Sequence, residues 1–285
     1  MKPTAISLAY SVDTDDAFMF HALGSGGISN PGLTFSHRRA DTAELNRLAL
    51  SGAADVVAIS AGLYPRVAAG YQMLPHGASV GRGFGPVVVS KHAYAPGELA
   101  GRRVGIPGLS TTAWMVLRLI EPRVVPVEIP ITPFGGIFDA VETGEVDAAL
   151  LIHEGRLIYP ERGLRLVVDL GVWWQEEVGL PLPLGVNVIR RALGPPLVRQ
   201  VSDLLRRSIR WALENRPALI AALAAQAVEG AANLGDPALA NPALIDNYLS
   251  LYANADTLEM PQDARRGLEE LFRREAQDVR IDWAP

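Results

Sequence analysis

The sequence predicts an α/β protein of two lobes, joined by two crossover strands and ending in a helical C-terminal tail. Three observations carry this. Short β-branched runs alternate with segments of helical period, which is the βαβ rhythm of a parallel or mixed sheet. The rhythm stops near Leu193, beyond which the pattern reads as helices alone. The length, 285 residues, exceeds the usual single-domain size and is enough to bury a large core.

The elements follow in order. In the first lobe "AISLAY" reads as a strand before the helix "DAFMFHAL", "LTFSHR" as a strand before "TAELNRLALSG", and "DVVAIS" as a strand before "AGLYPRVAAG". A second set follows the strand "GPVVVSKH": "RRVGIP" with the helix "STTAWMVLRLI", "VVPVEIP" with "FGGIFDAVETG", and "VDAALLI" with "HEGRLIYPERG". After "LRLVVDL" and the aromatic "GVWWQEEVG", the rigid "LPLPLG" leads into a further strand, "VNVIR". A helical tail cannot build a sheet domain alone, so "GPVVVS" and "PLPLGVNVI" are expected to pair and to bound an inserted lobe. The expected division is 1–90 plus 185–285 for lobe one and 91–184 for lobe two. Two lobes joined by two strands enclose a cleft, a favoured place for ligands. No internal repeat is apparent, and the Ala-rich "ALIAALAAQAVEGAANL" is read as helix.

Composition narrows the function. Hydrophobic residues make up 49% and charged residues 20%, so the chain is expected to fold throughout. A formal charge of −5 gives no electrostatic reason to bind nucleic acid, and Arg38-Arg39, Arg102-Arg103 and Arg206-Arg207 are short enough to be solvated faces. The absence of cysteine excludes disulfides, thiolate metal sites and a cysteine nucleophile. The N-terminal run does not read as a signal peptide, and no apolar stretch reaches membrane-spanning length. The expected compartment is the cytoplasm.

Five histidines supply few candidate bases. His153 closes the buried-strand pattern "VDAALLIH", and ligands of open α/β sheets sit at the carboxyl ends of strands, so its ring is placed to face the cleft. The competing reading is a hydrogen-bonded structural histidine. Ser110, Thr111 and Thr112 lie between a strand and a helix, where hydroxyls serve as N-caps and where free N–H groups bind anions. Ser60 occupies the matching junction in lobe one. Ala58-Ile59-Ser60-Ala61-Gly62 resembles a loosened nucleophile elbow, but no histidine follows His153, which removes the hydrolase order of serine, acid and late histidine. The glycines of "GASVGRGFGPVVV" lack the companions of a P-loop or dinucleotide fingerprint and are read as turns. "SVDTDDAFMF" lacks the oxygens and glycine of a calcium loop. Its plain reading is a helix start, with Asp13 or Thr14 as N-cap and with Asp15 and Asp16 in the first turn, worth about 0.3–1 kcal/mol each.

Ser11 to Phe20, "TAELNRLALSG", "GRGFGPVVV", "PGLSTTAW", "LLIHEGRLIYPERGL", "VVDLGVWWQEEVGLPLPLG" and "LYANADTLEM" together give the chain a wider identity. It resembles the 1,4-dihydroxy-6-naphthoate synthase family of the futalosine route to menaquinone over almost its whole length. The resemblance implies a two-lobed fold of the type II periplasmic-binding-protein kind. It implies a lyase that converts cyclic de-hypoxanthine futalosine to 1,4-dihydroxy-6-naphthoate. His153 is implied as proton acceptor and Thr111, Thr112 and Ser60 as substrate-binding residues, with Ala58, Ile59 and Ser110 beside them and Ser11, Asp13 and Asp16 at the cleft. No metal and no organic cofactor is implied. The implied partner is a small carboxylated substrate, without nucleic acid or membrane; a homo-oligomer is left open. The chain keeps Ser11, Asp16 and Phe18 of the family's usual S-P-C-P-N-D-T-F, but has Asp13 and Asp15 at neutral positions, Ala58 in place of a lysine and Asp256 in place of a phenylalanine. Those changes make a related carboxylated compound the alternative substrate. A non-catalytic solute-binding protein is the alternative from another class.

Overall fold

The structure, a computed structural model, describes residues 3–131, 135–229, 240–275, 277 and 279–285. Two mixed sheets form the two lobes. In the first, β1 (Thr4–Ser11) lies between β2 (Leu33–Ala40) and β3 (Val56–Ser60), all parallel, with α1 (Thr14–Gly24) and α2 (Thr42–Leu50) as the connections. β4 (Tyr71–Met73) and β5 (Ser79–Gly81) pair with different stretches of the long return strand β11 (Leu182–Arg190), which runs antiparallel to β3. The expected helix after β3 is two short pieces, a 3-10 turn at Ala61–Leu63 and α3 (Tyr64–Val67).

The second sheet contains β6 (Val87–Ser90), β7 (Arg103–Ile106), β8 (Val125–Glu128), β9 (Ala148–Leu151) and β10 (Arg165–Asp169), in the order β10-β6-β9-β7-β8. β7 is parallel to β8 and β9, whereas β6 is antiparallel to β9 and β10. The helices α4 (Thr112–Ile120), α5 (Gly136–Thr143), α6 (Gly155–Ile158) and α7 (Leu170–Val178) follow β7, β8, β9 and β10.

The expected pairing of "GPVVVS" with "PLPLGVNVI" is corrected by this topology: β6 and β11 lie in different sheets. The reason is burial. Val87, Val88 and Val89 are all buried, so β6 needs neighbours on both edges, which β9 and β10 supply. β11 meets the same requirement between β3 and β4. The outward passage between sheets therefore runs from Gly81 to Val87, ahead of the expected boundary at residue 90, and on the return Leu182 is already paired with Gly81. Phe84-Gly85 in the outward passage presses on the start of α7. A Cβ added at Gly171 would come within 2.0 Å of the Phe84 carbonyl, so this backbone crossing needs glycine.

The tail is helical as expected: α8 (Pro195–Glu214), α9 (Arg216–Glu229), α10 (Pro242–Tyr252), α11 (Ala255–Leu258) and α12 (Gln262–Arg274). Residues 230–234 of the Ala-rich stretch lie outside the described residues. One departure from an all-helical tail is a bridge between Trp283 and Met73, which extends the edge of β4. α8 is amphipathic and places Val198, Val201, Leu204, Leu205 and Ile209 against Ile6, Leu8 and Phe20. At roughly 1.5–3 kcal/mol for each fully buried large aliphatic side chain, this contact fixes the tail to the first lobe. Another cluster joins the lobes, because Val57, Val186 and Val188 of the first sheet share it with Val88, Val104 and Leu150 of the second. Among the described residues no helix is long and apolar enough to cross a membrane.

Candidate active site

The carboxyl ends of β1, β3 and β9 and the N-terminus of α4 converge on a cavity of about 100 Å³ between the lobes. Of the residues expected at the site, Ser11, Asp13, Asp16, Ala58, Ile59, Ser60, Thr111, Thr112 and His153 line it. Ser110 does not. Its hydroxyl lies behind the wall, accepting a hydrogen bond from Asn46 Nδ2 at 3.0 Å. Thr42, Ser79, Arg156, Tyr248, Tyr252 and Asp15 add further polar groups to a lining that is otherwise apolar side chains and glycine.

His153 follows the fully buried strand β9 and has φ +53°, the sole positive φ outside glycine among the described residues. The turn carries its ring back toward α1. There Nδ1 contacts Asp13 Oδ2 as an ion pair, and Nε2 lies 3.2 Å from Thr42 Oγ1. Asp13 occupies the N-cap position of α1, as the sequence suggested, but its carboxylate makes no capping hydrogen bond. Thr14 does not cap either; its N–H donates to Glu154 Oε1 at 3.1 Å and its hydroxyl donates to the same oxygen. Asp16 accepts from the Ser11 N–H at 2.6 Å, and Asp15 accepts from Ser79 at 2.6 Å and Tyr248 at 3.4 Å.

Four carboxyl groups thus surround one imidazole in a buried space, and they cannot all be ionised. Burial, with the neighbouring charge of Asp13, pushes Asp16 up to about 7 and Asp15 well above the usual carboxylate range. Burial and Asp13 raise Glu154 in the same way. Asp13 goes the other way: burial alone would raise it, but the His153 charge and hydrogen bond hold it below its ordinary value. For His153 burial favours the neutral ring. The Asp13 carboxylate outweighs it, aided by Glu154 and Asp16, and raises the ring to about 8.

One donor atom from each of Asp13, Asp15 and His153 falls within 4.8 Å of the others, a spacing at which a cation can be held. Asp13 Oδ2 is paired with His153, whereas Asp13 Oδ1 is buried there without a hydrogen-bond partner among the described residues. Asp15 accepts from Ser79 and Tyr248.

The threonines at α4 are more committed than their sequence position suggested. Thr111 is the N-cap, accepting from the Trp114 N–H at 3.2 Å and donating to the Gly108 carbonyl at 2.8 Å. Thr112 donates to the Leu184 carbonyl at 2.8 Å and accepts from the Gly62 N–H at 3.1 Å, tying α4 to the first lobe. What α4 offers an anion is its first-turn N–H groups. The Ser60 hydroxyl accepts from Asn46 Nδ2 at 3.1 Å, and its N–H donates to Asn46 Oδ1 at 3.0 Å.

Arg156 lines the cavity beneath α10 and is held by the Gly85 carbonyl at 2.6 Å and by Asp169 at 3.2 Å. Tyr248 and Tyr252 were not expected at the site. Their four-residue spacing puts them on one helix face, but only the docking of the tail against α1 brings that face to the cleft.

The chain matches the family model described as menaquinone biosynthesis over residues 6–277. It is 37% identical over 268 residues to a 1,4-dihydroxy-6-naphthoate synthase of Thermus thermophilus, covering 94% of this chain and 93% of that one. It is 34% identical over 280 residues to the enzyme of the same name from Streptomyces coelicolor, covering 97% and 94%. A crystal structure of an Archaeoglobus fulgidus protein superposes with a TM-score of 0.82 at 37% identity, over 95% of this chain and 97% of the other. At the level of fold alone, a Candida albicans protein with the generic periplasmic-binding-protein fold superposes with a TM-score of 0.64 at 12% identity, over 100% and 98%.

Proposed function

Because this chain belongs to the menaquinone biosynthesis family, we propose that it converts cyclic de-hypoxanthine futalosine to 1,4-dihydroxy-6-naphthoate, with His153 as the general base. The observation that carries the reading is the position of His153, at the carboxyl end of the central strand β9 and in the wall of the interlobe cavity. Loss of the sugar-derived fragment by elimination needs one base to remove a substrate proton. Gain of an aromatic ring supplies much of the driving force, so correct positioning and one base suffice. The substrate carboxylate is assigned to the N-terminus of α4, beside Thr111 and Thr112, where N–H groups and the helix dipole favour an anion. Ser60 and Ser11 supply neutral polar contacts from the first lobe. The first lobe lines the cavity with Ala58 and the acids of α1 and, among the described residues, with no cation, which supports orientation of the carboxylate toward α4.

The purified chain incubated with cyclic de-hypoxanthine futalosine is expected to release 1,4-dihydroxy-6-naphthoate, followed by chromatography and absorbance. His153→Ala is expected to lower kcat by about 10²–10⁴-fold, the usual contribution of a positioned base. Unaltered turnover in that variant would sink the assignment of His153, and absence of product from the wild type would sink the substrate. The buried acids Asp13 and Asp15 favour one second reading, a related carboxylated substrate. It predicts no naphthoate from the futalosine compound but turnover of a close analogue.

A further inference from the structure

The geometry points to Asp13 as a positioning residue that orients His153 and holds its proton on Nδ1, so that Nε2 is the nitrogen presented to substrate. This rests on the reading of His153 as the base. Asp13 has the extended backbone of a capping residue, φ −68° and ψ 171°, and aspartate is among the best N-caps. Its carboxylate nevertheless leaves the helix uncapped and reaches His153 Nδ1 on the other lobe. His153 in turn adopts a left-handed backbone that non-glycine residues rarely take, immediately after a fully buried strand. Two local preferences, one on each lobe, are given up to make a single contact. Conformations of that kind persist where surrounding structure over-determines them, and they concentrate at functional sites.

The contact also decides the tautomer. A neutral imidazole carries one N–H, and a carboxylate can only accept, so the hydrogen lies on Nδ1 and the lone pair on Nε2. Thr42 then donates its hydroxyl to Nε2 across 3.2 Å. A hydroxyl rotates freely, and an entering substrate hydrogen takes its place. The other charged and titratable groups around the ring are Asp15 and Asp16 on α1, Glu154 beside it in the chain and Tyr248 on α10, with Arg156 held by Asp169. Of these acids, Asp13 is the one in direct contact with the imidazole.

The test uses the full chain, with Asp13→Asn and Asp13→Glu. Nitrogen NMR of the labelled protein without substrate is expected to show His153 as the Nδ1–H tautomer above its titration midpoint, which lies at about 8. In Asp13→Asn the midpoint is expected to fall, because burial is then opposed only by the more distant Glu154 and Asp16. On cyclic de-hypoxanthine futalosine, Asp13→Asn is expected to lose about 10–10³-fold in kcat with KM changed less than about threefold, and Asp13→Glu to regain at least part of the loss. An Nε2–H tautomer in the wild type overturns the proposal, whether or not the variants fold. So does an unmoved His153 midpoint in Asp13→Asn, or a kcat within twofold of wild type. If His153→Gln keeps its turnover, the base assignment fails on its own, and the NMR tautomer still decides what Asp13 does to the ring.

Discussion

His76 is buried and His153 partly buried, and their surroundings shift the two rings in opposite directions. His153 faces carboxylates and is raised to about 8; burial, with Arg206 adding to it, lowers His76 to about 4. His76 Nε2 lies 3.2 Å from Ser202 Oγ. The sign for stability follows from the lowered value. The native state keeps His76 neutral while the unfolded chain takes up a proton near 6.5, so this contribution is full above pH 6.5 and is lost as pH falls toward 4. Compared with His76→Gln, which keeps a hydrogen-bonding group and cannot titrate, the wild type is expected to lose about 2–3 kcal/mol of unfolding free energy between pH 7.5 and 4.5. Parallel curves in urea titrations of the two proteins would refute this. The sequence distinguishes these histidines in part: His153 ends a strand pattern, whereas the partners of His76 come from α8, far along the chain. The same distance hides Asp13, whose neighbours read as a helix start and whose partner is on the other lobe.

At the scale of elements, α4 shows how one short motif serves both structure and site. Thr111 holds the first turn while Thr112 spans to β11 and the 3-10 turn after β3. Thr111→Ala is expected to cost about 1 kcal/mol in urea unfolding and Thr111→Ser only a fraction of that. Equal stability of Thr111→Ala and wild type would show that the cap is dispensable. The strand-to-helix junction was legible because hydroxyl residues follow a β-branched run. The commitment of each hydroxyl was not, since Gly62 and Leu184 meet Thr112 only after the lobes assemble. β4 and β5 escaped the reading for a different reason: at three residues each they carry no alternation, and they form because β11 offers a free edge.

At the scale of the molecule, Asn46 is a fully buried connector between the lobes. One side-chain amide bonds both groups of Ser60 and also the Ser110 carbonyl and hydroxyl, at 3.0–3.1 Å. Asn46→Ala leaves the Ser60 N–H without that partner, and a loss of about 1–3 kcal/mol is expected in calorimetry or urea unfolding. A variant as stable as wild type would mean that water replaces the amide. The out-and-back path of the chain was legible from the two sets of alternating elements and the helical tail. The partners of the crossing strands were not, because the apolar runs of β6 and β11 call for two neighbours each without naming them.

The mixed first sheet also sets a schedule for biosynthesis. β3 ends at Ser60, and the strand that covers its open edge, β11, begins at Leu182. At a translation rate of roughly 5–20 residues per second the ribosome takes several seconds to deliver that cover. Until then the nascent chain presents an unpaired, Val-rich border to solvent, the kind of surface on which chains aggregate. Recoding that slows elongation between β3 and β11 prolongs that exposure.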